Sequence, residues 1–405
     1  MSEKQSIIVI GAGIAGLSTA LALAQKGFSV EVYEKVSNLQ EVGAGVQLAP
    51  NATRILKKWG VLDAIQEVAV QPENLLLNDG TNGRILLDLP IRQLSQERWN
   101  GVYLTIHRAD LQNTLYKAAL KNPLIKIHLG YNFKNAQTQN NQVEATFEHD
   151  NKTVTLIPPL LIGADGVWSA LRRLNDSQEQ TAFTGYIAWR ATINATQIPE
   201  TFIKIVGNKP NVSAWMGPNN HLVAYPLQSN KVYNFVAITH GDNPGETWSK
   251  TGDPKKLFST FRTWHPVMRD IVMSSNDWTY WPLFGMKNYQ FIKDSRQIYV
   301  GDAAHAFLPF AAQGAVMAIE DAATLAECIN LYKDDLDEAL KLYNHLRSPR
   351  VDQVNKRGRF NSLVYHATGP IAFGRNLAMK FRPVKSFAAD LDWLYNYDAS
   401  TIIKK

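Results

Sequence analysis

The chain has 405 residues, and 45% of them are hydrophobic, enough to bury the cores of two or three domains. Its net charge of +6 is spread along the chain without a run of five like charges, which argues against a nucleic-acid-binding protein. The single cysteine, Cys328, excludes a disulfide framework, a CxxC redox pair and a cysteine metal site, and no metal site is predicted.

The chain opens with the pattern of a β-α-β unit. Residues 7–10 are an apolar run typical of a buried parallel strand, and the run ends at Gly11. Residues 17–26 are rich in alanine and leucine, which favours a helix, and residues 29–34 predict a second strand. The short connections predict the start of a doubly wound sheet. Because residues 7–24 contain glycines and lack a basic leader, we expect no signal or membrane segment, and a cytoplasmic protein.

Later segments continue this α/β pattern. A proline and a glycine bound a predicted helix over residues 50–59. Apolar strands at residues 160–162 and 298–300 each run into a glycine-containing turn. Strand ends of this kind are where open α/β sheets bind their ligands.

The sequence changes character between residues 181 and 285. Apolar and polar residues alternate there and turn signals recur, which predicts a mostly antiparallel sheet with one face against a pocket. Residues 314–332 and the tail from Asp335 return to helical spacing. We therefore predict a dinucleotide-binding domain that is interrupted by a β-sheet domain and completed by C-terminal helices.

The first turn carries the nucleotide-binding motif GAGIAG at residues 11–16. Its first glycine permits a tight turn, its second lets the backbone approach a pyrophosphate, and its third allows close packing of helix on strand. The amides of the helix would hold the phosphates, and Glu34 would bind the ribose hydroxyls. The motif fits NAD or FAD. The candidate contacts are Gly11, Gly13, Ala15, Gly16, Glu34 and Lys35.

Several further segments, in this order along the chain, resemble a known family. They are GAGVQLAPN at 43–51, HRADL at 107–111, GADGVWSALR at 163–172, GYIAWR at 185–190, GDAAH at 301–305, PFAAQGA at 309–315, AIEDA at 318–322 and DWLY at 392–395. Together they resemble the signatures of the class A flavin monooxygenases, and within that family the group of salicylate hydroxylase and 3-hydroxybenzoate 6-hydroxylase. The resemblance covers nearly the whole chain.

This resemblance implies a fold similar to that of p-hydroxybenzoate hydroxylase. The fold class is α/β, with a doubly wound, Rossmann-like FAD-binding domain, an inserted and mostly antiparallel β-sheet substrate domain, and C-terminal helices. The FAD-binding domain is expected to comprise residues 1–70, 100–180 and 286–345, the substrate domain 71–99 and 181–285, and the C-terminal helical region 346–405.

The resemblance also implies a reaction. NADH or NADPH reduces tightly bound FAD, oxygen adds at the C4a position of the flavin, and the resulting hydroperoxide hydroxylates a small aromatic compound, a hydroxybenzoate such as salicylate. The protein must exclude water, hold the aromatic ring and help to remove the phenol proton, because a phenolate is the better nucleophile. The FAD contacts implied in these segments are Gly45, Val46, Arg108, Asp302, Gly314 and Ala315.

The candidate catalytic residues lie in two segments. His221 and Tyr225 are four residues apart on a predicted strand and therefore point to the same face. By resemblance His221 is the candidate base, which suits the pKa of histidine. Gln313 resembles a glutamine that faces the substrate, and Pro309 is expected to shape the oxygen site. His305 is expected to serve the FAD fold rather than to act as a base.

Other functions stay open at this stage. The chain could oxygenate a purine, a terpenoid or an antibiotic, act as a flavoprotein reductase that does not activate oxygen, or bind flavin as a sensor without turnover. No pattern marks the anchor of a substrate carboxylate, for which Arg190 and Lys287 are the candidates. We expect a monomer or a homodimer, without a nucleic-acid or membrane partner.

Overall fold

A computed structural model describes residues 5–39, 45–175, 181–243, 245 and 250–401, so Gly43 of the GAGVQLAPN segment and the residues beyond 401 lie outside the described part. The strands are β1 (Ile7–Ile10), β2 (Val30–Glu34), β3 (Gly45–Leu48), β4 (Leu75–Asp79), β5 (Ile85–Leu89), β6 (Leu104–His107), β7 (Ile125–Leu129), β8 (Asn132–Gln139), β9 (Gln142–His149), β10 (Lys152–Leu156), β11 (Leu161–Gly163), β12 (Thr181–Asn194), β13 (Val212–Gly217), β14 (Asn220–Leu227), β15 (Val232–His240), β16 (Lys250–Thr251), β17 (Thr279–Met286) and β18 (Gln297–Tyr299).

The helices are α1 (Ile14–Ala24), α2 (Pro50–Lys58), α3 (Leu62–Val68), α4 (Ile91–Glu97), α5 (Arg108–Leu120), α6 (Ala170–Asn175), α7 (Glu200–Val206), α8 (Pro254–Thr260), α9 (Pro266–Met273), α10 (Asp302–His305), α11 (Gly314–Leu331), α12 (Leu336–Tyr365), α13 (Gly369–Phe381), α14 (Val384–Ala389) and α15 (Asp392–Tyr395). Two 3-10 turns lie at Ala195–Gln197 and Pro309–Ala311. Within these described ranges, no helix combines the length and the apolar character needed to cross a membrane.

The nucleotide-binding part is built on a five-stranded parallel sheet in the order β18-β11-β1-β2-β7. All four residues of β1 are buried, as is typical of a strand in the interior of a parallel sheet. The predicted strands at 7–10 and 29–34 are confirmed. Helix α1 begins at Ile14 rather than at 17, because the glycine turn itself leads into the helix. Strand β11, which ends at Gly163, pairs with β1, and β18, which precedes Gly301, pairs with β11 on its other side, so three glycine turns lie at one edge.

A second, three-stranded antiparallel sheet of β8, β9 and β10 was not predicted. Its buried positions alternate with exposed ones, as Val143, Ala145 and Phe147 in β9 illustrate. The asparagine and glutamine residues that surround them in the sequence mask this alternation.

The remaining large sheet has eight strands in the order β16-β17-β12-β15-β14-β13-β4-β5. All its pairs are antiparallel except β13 with β4, so the prediction of a mostly antiparallel sheet at 181–285 is confirmed. One face packs against α7, α8 and α9 around residues such as Trp215 and Phe235. The opposite face is therefore free to form the wall of a ligand cavity.

A buried ion network joins the C-terminal helix α12 to α11. Arg347 of α12 contacts Asp321 at 2.7 Å and Glu320 at 2.9 Å, and Arg350 contacts Glu320 at 2.8 Å. These four side chains are at most 3% exposed, so each charge is stabilised by its ion-pair partners and not by water. Asn51 of α2 also donates to Glu320 at 2.7 Å. The network fixes the helices that close one end of the site.

Candidate active site

A cavity of about 430 Å³ lies between the eight-stranded sheet and the glycine turns of the parallel sheet. Its walls come from both parts of the fold. Predicted site residues that line it are Gly13, Ala15, Gly45, Val46, Arg108, His221, Tyr225, Asp302, Pro309, Gly314 and Ala315. Gly11, Gly16, Glu34, Lys35 and Gln313 do not line it. Most of the residues chosen from the sequence therefore converge on one space.

The turn between β1 and α1 requires its glycines for different reasons. Gly11 has a φ of +99°, which is unfavourable for other residues, and a Cβ there would lie 2.8 Å from the Ala164 carbonyl oxygen. A Cβ on Gly16 would lie 1.9 Å from the Gly11 carbonyl oxygen. By contrast, a Cβ on Gly13 would meet no atom within 4 Å. Gly13 thus leaves space at the helix N-terminus where a phosphate can approach.

Two side chains hold this turn in place. Glu34 accepts a hydrogen bond from the Ala12 amide at 2.8 Å and another from the Val36 amide at 3.1 Å. Gln112 of α5 donates to the Ala12 carbonyl at 2.8 Å. Gln112 was missed from the sequence, since it lies 100 residues from its partner. Binding of ribose by Glu34 stays a prediction, as does a contact from the exposed Lys35.

The opposite wall of the nucleotide space comes from α10 and α11. Asp302 is exposed towards the cavity at the start of α10. Gly314 begins the 18-residue helix α11, and a Cβ there would meet no atom within 4 Å. Arg108 adds a positive charge at the start of α5. The open backbone at the N-termini of α1 and α11, the positive charge of Arg108 and the exposed carboxylate of Asp302 fit the phosphates and hydroxyls of FAD.

His305 serves the fold, as expected from the sequence. Its Nε2 lies 2.5 Å from the Asp321 carboxylate, which also accepts from the Gly301 amide at 2.8 Å. Burial raises the pKa of Asp321, but the interactions with His305 and Arg347 outweigh it and lower that pKa to about 2. The residues therefore tie the turn after β18 to α11.

The other side of the cavity is the free face of the eight-stranded sheet. His221, Val223 and Tyr225 line the cavity from β14, while Leu222 and Ala224 pack on the opposite face. This is the arrangement that the spacing of four predicts. Nδ1 of His221 lies 2.8 Å from Nε2 of His366, which follows α12. The other ring nitrogen of His221, Nε2, is therefore left to meet a ligand.

Burial shifts the pKa values of both residues. It lowers the pKa of His221 well below the usual range, and the neighbouring histidine lowers it further. His221 is thus neutral near pH 7 and can accept a proton. Burial raises the pKa of Tyr225, so its hydroxyl stays protonated and can donate. The Tyr225 ring packs against Gly45, where a Cβ would lie 2.5 Å from it.

Arg190 brings a cation into the same cavity from β12. Its Nε is buried and has no hydrogen-bond partner among the described residues. Its guanidinium lies 5.2 Å from the centre of the Trp281 ring, a cation–π contact that orients the charge without neutralising it. Burial lowers the pKa of Arg190. An anion in the cavity would offset that unfavourable desolvation.

The other predicted positions differ in whether they line the cavity. Pro309 lines the cavity in the 3-10 turn that precedes α11. Gln313 is only 2% exposed, and its side-chain oxygen, Oε1, accepts a hydrogen bond from the side-chain amide of Asn51 at 3.2 Å. The Gln313 side chain therefore faces the buried network and not the cavity, in contrast to the prediction. Lys287 is exposed and does not line the cavity.

Comparison with known proteins agrees with this geometry. The model of the FAD binding domain family matches residues 4–358. The chain is 32% identical to the 3-hydroxybenzoate 6-hydroxylase of Klebsiella oxytoca over 98% of both chains. It is 34% identical to 3-hydroxybenzoate 6-hydroxylase 1 of Aquipseudomonas alcaligenes, over 96% of this chain and 97% of that protein. The chain belongs to the FAD-dependent aromatic monooxygenases.

A solved salicylate hydroxylase substrate complex confirms the fold of this aromatic monooxygenase. It superposes with a TM-score of 0.82 over 99% of this chain and 97% of that chain, at 21% sequence identity. The predicted fold class, the family and the FAD cofactor are therefore confirmed. When it is bound, FAD provides the redox chemistry, in which two electrons are taken from reduced nicotinamide and O2 is activated.

Gly13 and Gly16 of the motif make a matched pair of variants. Gly13→Ala is expected to leave the stability of the apoprotein within about 0.5 kcal/mol of wild type, since the new methyl meets no protein atom. The same methyl would occupy the phosphate space and weaken FAD binding at least about tenfold. Gly16→Ala forces a backbone clash and should destabilise the apoprotein by about 1–3 kcal/mol. Urea unfolding and FAD titration measure the two effects. FAD binding by Gly13→Ala equal to wild type would contradict this assignment.

Proposed function

We propose that this enzyme hydroxylates a hydroxybenzoate. The observation that carries the proposal is the pairing, in one cavity, of neutral His221 with Arg190, whose buried Nε has no hydrogen-bond partner among the described residues. A hydroxybenzoate carries an anion and a phenol on one rigid ring, which matches these two groups. The two relatives described above are both named for 3-hydroxybenzoate.

Arg190 is proposed to bind the substrate carboxylate. Arginine can meet a carboxylate with two parallel hydrogen bonds, and Arg190 lines the cavity from β12. The strand positions support this role, because β12 and β14 are separated only by β15. The cation and the base can therefore hold the two ends of one aromatic ring.

His221 is proposed to accept the phenol proton at Nε2. The resulting phenolate is the nucleophile that attacks the activated oxygen. Tyr225 stays protonated and is proposed to donate a hydrogen bond beside Gly45, and Pro309 to shape the space above the ring. Apolar residues that exclude water from this part of the cavity include Val223, Val236, Ile238, Leu283 and Phe310.

Further features of the reaction belong to the same proposal. NADH or NADPH reduces the flavin and O2 is the second co-substrate, in a cytoplasmic enzyme that is a monomer or a homodimer. Residues 1–70, 100–180 and 286–345 are proposed as the FAD-binding domain, 71–99 and 181–285 as the substrate domain, and 346–405 as the C-terminal helical region. A terpenoid without an acidic group is disfavoured as substrate, because it offers neither an anion to the cation nor an acidic proton to the base.

The proposal is tested by oxidation of NADH and NADPH by the FAD-loaded protein. The panel contains 3-hydroxybenzoate, salicylate, 4-hydroxybenzoate and their amides, with products identified by mass. We expect at least one acid to accelerate oxidation and to gain one oxygen atom, with loss of carbon dioxide if the product is decarboxylated. Failure of every acid, with FAD bound, would overturn the proposal.

Substitution of Arg190 tests the anchor itself. Arg190→Met removes the cation and retains an apolar side chain, so binding of the accepted acid should weaken by at least about 2 kcal/mol, which corresponds to a rise in KM of about 30-fold or more. KM for the corresponding amide, which lacks the anion, should rise far less. Arg262→Met, at an exposed arginine, is the control and should match wild type. An equal rise in KM for the acid and for the amide would show that Arg190 does not bind the carboxylate.

A further inference from the structure

An exposed apolar surface lies on the C-terminal helices α12 and α13, outside the catalytic cavity. Six large apolar side chains on these helices are between 48% and 72% exposed, and we call them the C-terminal apolar face: Phe360, Leu363, Ile371, Phe373, Leu377 and Phe381. They include all the exposed phenylalanines of the described part of the chain. Exposure on this scale leaves a large apolar area in contact with water, which is unfavourable unless a partner covers it.

Helix α13 is held in place by its inner side. Met379 is buried against β4 and β5, and the Asn376 side chain donates to the Asp79 carboxylate at 2.8 Å. The Arg375 guanidinium donates to the Val364 carbonyl of α12 at 2.8 Å. The outer side of the helix is therefore presented to solvent by a fixed scaffold.

The apolar side chains form a continuous group. Phe373, Leu377 and Phe381 are spaced by four residues and so follow one side of α13. Phe360 of α12 and Ala378 of α13 border the same hollow of about 350 Å³, which places the exposed residues of the two helices side by side. Single exposed apolar residues are ordinary on a protein surface, but a contiguous group marks an interaction site.

The charge of this part of the chain is entirely positive. Residues 353–389 contain seven lysine and arginine residues and no aspartate or glutamate, whereas the whole chain has a net charge of only +6. Of these seven, only Arg382 forms an ion pair with another described residue, Asp390 at 2.6 Å. The Lys380 ammonium lies 5.8 Å from the centre of the adjacent phenylalanine ring of α13, and the Arg357 guanidinium lies 5.7 Å from that of Phe360. Cations therefore stand directly beside the apolar side chains.

This combination of groups selects among partners. A symmetric dimer through this face would bring two positive surfaces together, which is unfavourable. Nucleic acid would neutralise the cations but would offer its charged backbone to the phenylalanines. An anionic lipid surface satisfies both kinds of group, because its headgroups attract lysine and arginine while its acyl chains cover apolar side chains.

We propose that the C-terminal apolar face docks on the surface of a membrane that contains anionic phospholipids. Phe373, Leu377 and Phe381 enter the boundary between headgroups and acyl chains, and the exposed Lys380 and Lys385 bind the phosphates of the headgroups. A helix that lies in the membrane interface needs no apolar spanning segment. Docking of this kind therefore replaces the expectation of no membrane partner, which depended on the lack of such a segment in the sequence.

Sedimentation of the FAD-loaded protein with lipid vesicles tests the docking. Vesicles of phosphatidylcholine alone are compared with vesicles that also contain phosphatidylglycerol. We expect binding to be at least about tenfold tighter when phosphatidylglycerol is present, and to be lost at high salt, which screens the attraction. Lys380→Glu combined with Phe381→Ser should weaken binding to the anionic vesicles at least about tenfold. Each single substitution should produce part of this loss.

A matched control lies at the end of α5, which has 13 residues like α13. Leu120 and Lys121 are both exposed there, as Phe381 and Lys380 are at the end of α13. Leu120→Ser combined with Lys121→Glu makes the same kind of change in charge and apolar area, and should bind vesicles like wild type. Because all four side chains are exposed, both double variants should retain bound FAD and a melting temperature close to that of wild type.

A fluorescent label reports whether the face enters the lipid. Cys328 is the single cysteine of the chain and is buried, so a cysteine introduced by Phe373→Cys can be labelled selectively with an environment-sensitive dye. The dye emission should shift to shorter wavelength when anionic vesicles are added, because the dye leaves water.

Several results would overturn the proposal. They are a wild-type protein that binds neither kind of vesicle, equal binding by the α13 double variant and the α5 control, and binding without a shift of the dye emission. A wild-type dimer that the α13 double variant converts to a monomer, measured by light scattering without lipid, would assign the face to contact between two copies instead. None of these measurements uses a substrate, so they stand apart from the test of hydroxybenzoate hydroxylation.

Discussion

Replacement of His221 by Asn is expected to lower kcat for the accepted hydroxybenzoate by about 10²–10⁴-fold, the usual contribution of a positioned general base. Asparagine retains polar atoms near the same position but cannot take a proton at neutral pH. KM should change much less, because the proposed contact of Arg190 with the substrate carboxylate is left in place. Steady-state NAD(P)H oxidation coupled to product formation measures both constants.

A substrate that is already ionised provides the control for this loss. A fluorinated hydroxybenzoate has a more acidic phenol and needs less help from a base, so the difference between wild type and His221→Asn should shrink with it. The difference should also shrink at high pH, where the phenol ionises without the protein. If His221→Asn lowered kcat by the same factor for substrates of different phenol acidity, a role of His221 in deprotonation would be contradicted.

The direction of the His221 pKa shift also sets the pH dependence. Because burial lowers the pKa of this group, the neutral form persists as pH falls through 6.5 and is lost only well below that value. For the free enzyme, kcat/KM is therefore expected to show no loss from His221 between pH 8 and pH 6.5. A descending limb centred at 6.5 that disappears in His221→Asn would contradict the buried, neutral state of this histidine.

Arg347→Met is expected to reduce the free energy of unfolding by about 3–5 kcal/mol, the largest stability effect that we predict. The substitution removes the partner shared by Glu320 and Asp321, which are both 0% exposed, and leaves two carboxylates insufficiently paired in the core. Urea unfolding of the FAD-loaded protein measures the effect. Arg359→Met, at an exposed position of the same helix, should stay within about 0.5 kcal/mol of wild type. Equal stabilities of the two variants would show that the network contributes little.

The same network predicts a direction for acid unfolding. The pKa of Asp321 is lowered from 3.8 to about 2 in the folded protein, so unfolded chains bind its proton first as the pH falls. The stabilisation by this carboxylate is complete above pH 4 and is lost as pH falls towards 2. Arg347→Met removes one cause of the lowered pKa, so its acid unfolding midpoint should move to higher pH. A midpoint unchanged from wild type would argue against the ion pair.

The local features of the nucleotide site could be predicted from the sequence. Gly11, Gly13 and Gly16 form the turn that their spacing indicates, and strand alternation placed His221 and Tyr225 on one face. These predictions depend only on neighbours in the chain, where helix and strand periods fix the direction of each side chain. The order of several such segments was enough to identify the family.

Contacts between distant segments required the folded structure. Gln313 occupies the motif position of a substrate-facing residue, yet Asn51, which is 262 residues away, draws its side chain into the buried network. Arg347 appeared to be one of many charges on a C-terminal helix, and its pairing with Asp321 depends on how that helix packs. A charged side chain in a sequence carries no sign of whether water or a partner will surround it.

The sequence by itself therefore determined the cofactor-binding turn, the fold class and the face of the sheet that carries His221 and Tyr225, because these follow from periodicity and backbone geometry. Only the tertiary structure decided that Arg190 lines the cavity beside the Trp281 ring and that His366 touches His221. Both facts depend on burial and on long-range packing. These terms set the charge and proton affinity of a site, and they arise only when the chain has folded.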